Sequence, residues 1–270
     1  MRKNLLQKLN DGKIIYGTCI VSTAPIWSKS LAQSLLDFVF IDTEHVPTDR
    51  SEMAMQCQVY DAMGLPAIVR IPHPDPFLAC MAKDAGATGV LAPYVEDVGQ
   101  IKQMVGATKY RPLKGKRLNS FLDGTEALEP ELIEYLKKFN EGSLCLVNIE
   151  SIAALENLPA LLDVDGLDAI IIGPHDMSIN MGLPEQYEHP EFENVVRKII
   201  RQARERGVAV GIHFPGNPDQ QIKWIKEGLN IVLHGSDMGM FKQKLNEDIA
   251  RIKKSTGEAV AAGDGDEMAI

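Results

Sequence analysis

The sequence lacks any apolar run of the roughly 20 residues that a helix needs to cross a bilayer. Its first residues, MRKNLLQKLNDGK, are interrupted by polar side chains where a signal peptide requires a continuous apolar core. These two absences predict a cytoplasmic protein with no membrane partner.

Cysteine and basic charge are also scarce. The chain has 28 Lys and Arg against 37 Asp and Glu, a formal net charge of −9. Nucleic acids and anionic membranes bind clustered basic residues, so we expect neither as a partner. No C-x-x-C pair occurs, so we expect buried reduced thiols rather than a zinc finger or a disulfide scaffold at the four cysteines, Cys19, Cys57, Cys80 and Cys145.

Eight short apolar segments alternate along the chain with amphipathic helical patterns. The predicted strands are 14–21, 38–42, 66–71, 88–92, 144–149, 168–172, 208–213 and 230–235. The predicted helices are 26–36, 49–63, 76–85, 96–106, 151–162, 190–206, 218–227 and 238–254. Strands this uniformly apolar are buried on both faces, as in a parallel sheet. Eight strands alternating with eight helices predict an α/β protein with a single (β/α)₈ TIM barrel.

A doubly wound open sheet is the main alternative to the barrel. Such a sheet binds a dinucleotide at a G-x-G-x-x-G turn after its first strand. The segment at that position here, STAPIWSKS, has no such turn. The pattern therefore favours the barrel.

We expect the barrel to occupy residues 1–256 and a flexible acidic tail to occupy 257–270, because GEAVAAGDGDEMAI has no packing face. The connection 107–143 is longer than the others and contains a further predicted helix at 129–140. Long loops in this architecture often cover the site at the C-terminal mouth, so we expect the connection there.

Polar side chains follow the ends of six predicted strands. The C-terminal strand ends of a barrel meet at one mouth, where enzymes of this fold hold their chemistry, so this concentration indicates an enzyme. The residues are Asp42, Glu44 and His45, then Arg70, then Asn148 and Glu150, then His175 and Asp176 after Gly173 and Pro174, and finally His213 and His234.

Several of these residues have two interpretations. Glu150 and Asp176 leave adjacent strands, and their oxygens suit Mg²⁺ or Mn²⁺, although each acid could instead cap the next helix. His45 is either a general base or a packing residue. Arg70 lies in an apolar strand and needs an anionic partner, which is either Asp42 or a substrate oxyanion.

Lysine placement disfavours covalent imine catalysis. Schiff-base catalysis on this fold needs a lysine at the C-terminal end of a strand inside the barrel. No predicted strand ends in lysine, since Lys83, Lys102 and Lys223 fall in predicted helices. The remaining histidines lack the spacing of a zinc site. Metal-assisted enolate chemistry is therefore favoured.

Four segments together resemble the HpcH/HpaI aldolase family. They are DFVFIDTEHVPTD, PAIVRIPHPDPFLACMAKDAGATGVLAPYVED, VNIESIAALENLP and GLDAIIIGPHDMSINMG. The resemblance runs from about residue 14 to 252. It implies a class II carbon–carbon lyase that cleaves a 4-hydroxy-2-oxo acid to an aldehyde and pyruvate, or a related 2-oxo acid. It also implies a divalent metal, Mg²⁺ or Mn²⁺ ahead of Co²⁺.

The same resemblance implies roles for individual residues. Glu150 and Asp176 match the metal ligands, His45 the catalytic base, and Arg70 the group that stabilises charge on the 2-oxo oxygen. Asp84 matches an acid that acts on the catalytic histidine of a neighbouring subunit. A homo-oligomer is therefore implied, built from dimers, often a hexamer, with C-terminal helices exchanged between subunits.

The substrate carboxylate and the supporting positions are assigned in the same way. Asn148, Gly173, Pro174, His175 and Asp176 match the carboxylate site, with Asp42 and Glu44 in support. The sequence departs from the family pattern at Thr43, usually Gly, at Asn148, usually Gln, at His175, usually Ala or Ser, and in the loop 110–118. The metal and base positions are intact, but the substrate contacts have changed, so the resemblance does not identify the substrate.

Two other functions remain open. One is a related synthase or lyase that condenses oxaloacetate with a second carbonyl donor such as a thioester. Its extra anionic group would meet Lys114, Lys116 and Arg117 in the long connection. The other is a non-catalytic barrel that binds a 2-oxo acid.

Overall fold

The computed structural model describes residues 4–258, in which eight parallel strands close into one barrel. Each strand pairs with its neighbours in sequence order, and the eighth pairs with the first. The predicted TIM barrel is therefore confirmed. The strands are β1 (Ile15–Ile20), β2 (Phe38–Asp42), β3 (Ala67–Arg70), β4 (Gly89–Ala92), β5 (Leu144–Ile149), β6 (Ala169–Ile172), β7 (Ala209–Phe214) and β8 (Ile231–Ser236).

Helices follow the strands around the outside of the barrel. They are α1 (Leu5–Asn10), α2 (Pro25–Leu31), α3 (Arg50–Ala62), α4 (Pro76–Asp84), α5 (Val98–Lys109), α6 (Gly115–Leu122), α7 (Pro130–Phe139), α8 (Ile152–Glu156), α9 (Leu158–Leu162), α10 (Pro174–Asn180), α11 (Pro190–Glu205), α12 (Pro218–Lys226) and α13 (Asp237–Thr256). Short helices α1, α6 and α10 were not predicted. The predicted helix 151–162 is two helices, because Pro159 in the first turn of α9 has no amide hydrogen with which to continue α8.

Side chains alternate along each strand between the barrel interior and the helical shell. The interior cluster contains Phe38 and Phe40 of β2 and Leu144 and Leu146 of β5. Leu5 and Leu9 of α1 belong to the same cluster and are buried. Apolar side chains therefore fill the end of the barrel interior that lies next to α1. At the C-terminal mouth, the side chains that point inward are polar.

The same alternation positions the polar side chains. Asp42 and Asn148 each come two residues after an interior residue of their strand, and Asp42 lies beside Arg70 in the sheet register. One face of each strand therefore changes from apolar to polar at its C-terminal end. This change is what builds a site on an otherwise apolar barrel.

The predicted location of the connection 107–143 is wrong. Lys109, at the end of α5, donates a hydrogen bond to the carbonyl oxygen of Ser143 over 2.5 Å and pairs with Asp168 over 2.6 Å. Ser143 and Asp168 directly precede β5 and β6, so both ends of the connection lie at the N-terminal end of the barrel. Helix α6 within the connection packs on the outside of α5. The physical reason is topological: a segment that joins a helix to the next strand returns to the end at which strands begin.

No helix within residues 4–258 is long and apolar enough to cross a membrane. Helix α13 ends at Gly257, whose φ of 80° is the left-handed conformation that glycine adopts readily. The division into a barrel over 1–256 and a tail over 257–270 stays a prediction, because residues 259–270 lie outside the described residues. The exchange of α13 between subunits also stays a prediction.

Candidate active site

The C-terminal mouth of the barrel contains a cavity that brings most of the predicted site residues together. Apolar residues of four strands, Phe40, Leu91, Ile171 and Leu233, form part of its lining. The predicted site residues that line it are His45, Arg70, Asn148, Glu150, Gly173, Pro174, His175 and Asp176.

Arg70 is held by two parallel hydrogen bonds to a buried carboxylate. Its Nε and Nη2 donate to the two oxygens of Asp42 over 2.9 and 2.5 Å, and Asp42 is 0% exposed. Burial opposes ionisation of Asp42, but the hydrogen bonds and charge of Arg70 outweigh it and hold the pKa of Asp42 below its ordinary value. Asp42 is therefore the structural partner of Arg70. Among the described residues none accepts a hydrogen bond from Nη1 of Arg70.

Glu44 connects this ion pair to the candidate base. Its Oε2 lies 3.2 Å from Nε of Arg70 and 3.7 Å from Nε2 of His45. The backbone amide of Glu44 donates to Asp42 over 3.0 Å, which fixes the turn after β2. Burial raises the pKa of Glu44 despite the nearby charge of Arg70. His45 is 51% exposed, so its imidazole stands at the rim of the cavity beside an acidic side chain.

Glu150 is a buried carboxylate at the end of β5. Its Oε1 accepts from the backbone amide of Tyr94 over 2.7 Å, and its Oε2 accepts from the amide of Asn148 over 2.5 Å. Burial, with a smaller contribution from the charge of Asp176, raises the pKa of Glu150 to about 7. Glu150 does not cap α8, because the hydroxyl of Ser151 fills that role by accepting from Ala154.

Glycine at position 173 gives Glu150 its space. A Cβ at Gly173 would stand 2.1 Å from Oε2 of Glu150, which is far inside van der Waals contact. The strand end of β6 can therefore approach the carboxylate only without a side chain. Pro174 then begins α10 at a position where a missing amide hydrogen costs nothing.

Asp176 lies in the first turn of α10 and faces the same cavity. Its Oδ1 is 3.4 Å from the hydroxyl of Tyr94. The backbone amide of Tyr94 binds Glu150, so one residue contacts both acids. Tyr94 holds this position with a left-handed φ of 46°, which few non-glycine residues adopt.

Sequence reasoning missed Tyr94. The residue follows the C-terminal end of β4, so the rule that identified polar residues after six other strands could have found it. Asn180 supports it from α10, with its amide 3.4 Å from the Tyr94 hydroxyl and 3.0 Å from the Asp176 carbonyl oxygen. Polar contacts from Tyr94, which follows β4, and from Asn180 of α10 therefore hold Glu150 and Asp176 in place.

The donor set fits a hard divalent cation. Glu150 and Asp176 offer two carboxylates, and the buried Oδ1 of Asn148 has no hydrogen-bond partner among the described residues. Within residues 4–258 no group of three or more His, Cys, Asp and Glu side chains is arranged to hold a metal ion. Mg²⁺ in proteins is bound by one or two carboxylates, with water and substrate completing its shell, whereas structural zinc needs four protein ligands.

Asp84 lies away from the cavity of its own chain. It is the last residue of α4, its side chain is 75% exposed, and it pairs with Nη1 of Arg111 over 2.6 Å. It does not line the cavity. Its role toward a histidine of a neighbouring subunit stays a prediction.

Two histidines and a tyrosine, His175, His213 and Tyr187, also line the cavity. The Nδ1 atom of His175 is buried and lies 3.7 Å from Oε1 of Glu185. His213 packs with its ring 5.7 Å from the ring of Phe40, and its Nε2 lies 3.2 Å from the carbonyl oxygen of Gly235. Burial and, to a smaller extent, the charge of Arg70 lower the pKa of His213 to about 4.

We expect the burial of His213 to make stability depend on pH. The folded ring resists protonation and the unfolded ring does not, so the free energy of unfolding should fall as pH drops from 6.5 to about 4. The loss attributable to this residue is about 3 kcal/mol at most. Chemical denaturation of the wild type and His213→Asn across this range measures it, and parallel pH curves for the two proteins would contradict it.

Fold and site together define a (β/α)₈ enzyme with a fixed arginine, a rim histidine and two converging acids in one cavity. A family model described as HpcH/HpaI aldolase/citrate lyase matches residues 17–243. The chain therefore belongs to the HpcH/HpaI aldolase/citrate lyase family, and the predicted family and enzyme class are confirmed.

Individual relatives agree with this assignment. The 2-keto-3-deoxy-L-rhamnonate aldolase of Salmonella gallinarum (strain 287/91 / NCTC 13346) is 31% identical over 245 residues, which cover 91% of each protein. The HpcH/HpaI aldolase from Desulfitobacterium hafniense DCB-2 has a TM-score of 0.80 at 26% identity, covering 93% of this chain and 96% of that one. The citrate synthase SbnG also has a TM-score of 0.80 at 26% identity, covering 94% of this chain and 99% of that one.

Proposed function

We propose that the protein catalyses the reversible aldol cleavage of a 4-hydroxy-2-oxo acid to an aldehyde and pyruvate, or a closely related 2-oxo acid. The observation that carries this proposal is the convergence of Arg70, His45, Glu150 and Asp176 on one cavity. The names of the relatives, which are aldolases of a 2-keto-3-deoxy acid, support the same reaction class.

Glu150 and Asp176 are the residues that would hold a divalent cation, Mg²⁺ or Mn²⁺ ahead of Co²⁺. When bound, such a cation supplies positive charge for an enolate oxygen. Asn148 keeps Glu150 in place by donating to its Oε2. The hydrogen bonds from Tyr94 and Asn148 favour the ionised form of Glu150 against the effect of burial, and this form is the one a cation requires.

His45 is placed to move the proton of the reaction. In the cleavage direction it accepts the proton of the 4-hydroxyl, the C4–O bond becomes a carbonyl, and the C3–C4 bond breaks. The electron pair of that bond forms the enolate of the 2-oxo acid. A proton added at C3 then completes pyruvate. Glu44, 3.7 Å from Nε2 of His45, stabilises the imidazolium that holds the proton meanwhile.

Arg70 is placed to stabilise the charge that develops on the 2-oxo oxygen. Its Nε and Nη2 are fixed by Asp42, so the guanidinium does not have to reorganise during the reaction. Asn148, His175 and the backbone from Gly173 to Asp176 form the adjoining wall, which is our proposed site for the substrate carboxylate.

The experiment that tests this function is aldol cleavage by His45→Ala. We expect turnover to fall by about 10²–10⁴-fold, the usual contribution of a positioned acid or base. The half-exposed position of His45 predicts an unchanged melting temperature. His189→Ala is the matched control, since His189 only caps α11. Unchanged cleavage by His45→Ala would remove this residue as the base.

A second candidate function is condensation of oxaloacetate with a carbonyl donor such as a thioester. The similarity to a citrate synthase favours it. None of the basic residues expected to meet a thioester lines the cavity, and Arg117 instead pairs with Glu129 and Glu126. Assays of oxaloacetate with acetyl-CoA, and of pyruvate with a panel of aldehydes, separate the two reactions. Binding without either reaction would instead support a non-catalytic barrel.

We propose that the protein is a homo-oligomer in which α13 packs on another subunit. This helix exposes apolar side chains along one face, at Phe241, Leu245, Ile249 and Ile252. Leu245→Glu should reduce the mass measured by light scattering, while Gln243→Glu on the opposite face should not. A wild-type monomer would contradict the proposal.

Such an assembly would allow Asp84 of one subunit to act on His45 of another. If so, coexpressed Asp84→Ala and His45→Ala subunits regain activity in mixed oligomers, because some sites then contain both native residues. Activity no greater than that of the separate variants would contradict a role in trans.

We place the protein in the cytoplasm, with a 2-oxo acid and an aldehyde as its small-molecule partners. All four cysteines are free, and Cys19, Cys57 and Cys145 are buried. Free thiols persist in a reducing compartment. Cell fractionation tests this location, and recovery from an oxidising compartment would contradict it.

A further inference from the structure

The ion pair of Asp84 and Arg111 lies outside the cavity, and the proposed reaction uses only one of its two members. Asp84 is the last residue of α4, and Arg111 follows α5 in the connection 107–143. Nη1 of Arg111 donates to Oδ1 of Asp84 over 2.6 Å. The side chain of Arg111 is only 16% exposed, whereas that of Asp84 is largely exposed. The arginine is therefore embedded in the protein, while the acid faces outward.

Arg111 is held in place by the end of α7. Its Nε donates to Oδ1 of Asn140 over 3.3 Å, and the side-chain amide of Asn140 donates to the carbonyl oxygen of Arg111 over 2.8 Å. The guanidinium also lies 5.5 Å from the ring centre of Phe139, a distance at which a cation is attracted to the ring. Because Asn140 is buried, the guanidinium is fixed, and it in turn fixes the carboxylate of Asp84.

Only one oxygen of Asp84 is occupied by this contact. Oδ1 accepts from Arg111, and no described residue donates a hydrogen bond to Oδ2. A carboxylate has acceptor sites on both oxygens, so one oxygen can be anchored while the other accepts from an imidazole N–H. An acid that orients a catalytic imidazole must itself be held in position. Arg111 gives Asp84 this property.

The surface around Asp84 has the character of a contact with another protein chain. Phe77 and Asp84 are seven residues apart on α4, so they lie on the same face of the helix. Phe77 is 74% exposed and lines a groove to which Leu113 and Leu118 also contribute. An exposed aromatic side chain beside an apolar groove is typical of a protein interface. The occupant that the proposed reaction requires is a second copy of this chain, which carries His45.

We propose that Arg111 is a positioning residue, which holds Asp84 of one subunit toward His45 of a neighbouring subunit. This inference rests on the proposed role of Asp84 in trans and extends it to a second residue of the contributing subunit. It also gives the connection 107–143 a function, because Arg111 and the end of α7 both belong to this connection.

The first experiment compares Arg111→Met with the wild type in the cleavage of 4-hydroxy-2-oxo acids made from pyruvate and a panel of aldehydes. Methionine keeps an apolar stem against Phe139 but cannot donate to Asp84. We expect kcat to fall about tenfold with KM unchanged, because a displaced catalytic group costs turnover rather than binding. Arg111→Lys should recover part of the loss, since lysine restores a charged donor.

A double variant tests whether Arg111 acts through Asp84. In an Asp84→Ala background, Arg111→Met should cause no further loss of kcat, because the carboxylate that it positions is already absent. Arg206→Ala is the matched control, since Arg206 pairs with Asp163 over 2.9 Å and does not line the cavity. This control should keep the wild-type kcat. Equal losses from Arg111→Met in the two backgrounds would overturn the inference.

Mixed oligomers test which subunit contributes Arg111. Coexpressed Arg111→Met and His45→Ala subunits should be more active than the mean of the separate variants, because some sites then receive His45 from one subunit and an intact pair from the other. Coexpressed Arg111→Met and Asp84→Ala subunits should show no gain, because neither subunit contributes an intact pair. The opposite pattern, or no gain in the first mixture, would contradict the assignment of Arg111 to the contributing subunit.

The outcomes distinguish this inference from the proposed function. If Asp84→Ala is impaired and regains activity with His45→Ala, but Arg111→Met has the wild-type kcat, only the role of Arg111 is overturned. If Asp84→Ala itself has the wild-type kcat, the role in trans fails together with this inference, and the aldol reaction stands. A wild type that cleaves none of the acids overturns the proposed function and this inference with it.

Discussion

Asp176→Asn is expected to abolish the response of the reaction to divalent cations and to lower turnover by about 10²–10³-fold or more. Asparagine has nearly the same shape, so the change removes one negative charge from the cavity and little else. The remaining acid, Glu150, is buried and cannot by itself balance a doubly charged ion. Turnover measured against Mg²⁺ and Mn²⁺ concentration, with Mn²⁺ binding measured by calorimetry, checks this result.

Stability separates this effect from damage to the fold. The charge of Asp176 raises the pKa of the neighbouring Glu150, so its removal relieves a repulsion in the metal-free protein. We therefore expect no fall in the melting temperature of metal-free Asp176→Asn. Glu96→Gln is the matched control, because Glu96 follows β4 at the same mouth, accepts from Ser151 and does not line the cavity. An active, chelator-resistant Asp176→Asn would contradict the site.

Arg70→Ala is expected to lose both activity and stability. Turnover in aldol cleavage and the C3 proton exchange of pyruvate should fall together by about 10²–10³-fold, because both pass through charge on the 2-oxo oxygen. Stability should fall by about 3–5 kcal/mol, because Asp42 is fully buried and loses its only pair of charged hydrogen bonds among the described residues. Denaturant titration and a proton-exchange assay measure the two losses.

A double variant separates the two roles of Arg70. Arg70→Ala leaves the buried carboxylate of Asp42 without a charged partner. Adding Asp42→Ala removes that carboxylate, so the double variant should regain part of the stability and none of the activity. Arg70→Lys keeps the charge but cannot donate two parallel hydrogen bonds, so it should be intermediate in both. Wild-type rates in any of the alanine variants would remove Arg70 from the mechanism.

The alternation of short apolar segments with helical patterns was enough to predict the barrel. The barrel in turn predicted that Arg70, Glu150 and Asp176 lie at its C-terminal mouth, because polar residues that follow parallel strands share one end of the sheet. The error at 107–143 arose from treating a long connection as a mouth loop without asking which end its flanking helix reaches. Length alone carries no information about the end of the barrel.

Other features depend on tertiary geometry that a pattern does not contain. The sequence left open whether Asp42 or a substrate pairs with Arg70, and only the register of β2 against β3 places the two side chains in contact. Tyr94 binds Glu150 through a backbone amide in a left-handed turn, and a backbone contact leaves no trace in residue type. For Asp84, a single chain offers no contact with the cavity.

The measurement that tests the account most directly is a crystal structure of the protein soaked with Mn²⁺ and pyruvate, with anomalous data collected for the metal. We predict one anomalous peak within about 2.0–2.3 Å of both a Glu150 and an Asp176 oxygen, with pyruvate beside it and its 2-oxo oxygen facing Arg70. Pyruvate bound with no metal peak between the two acids, or a peak held by other residues, would contradict the account.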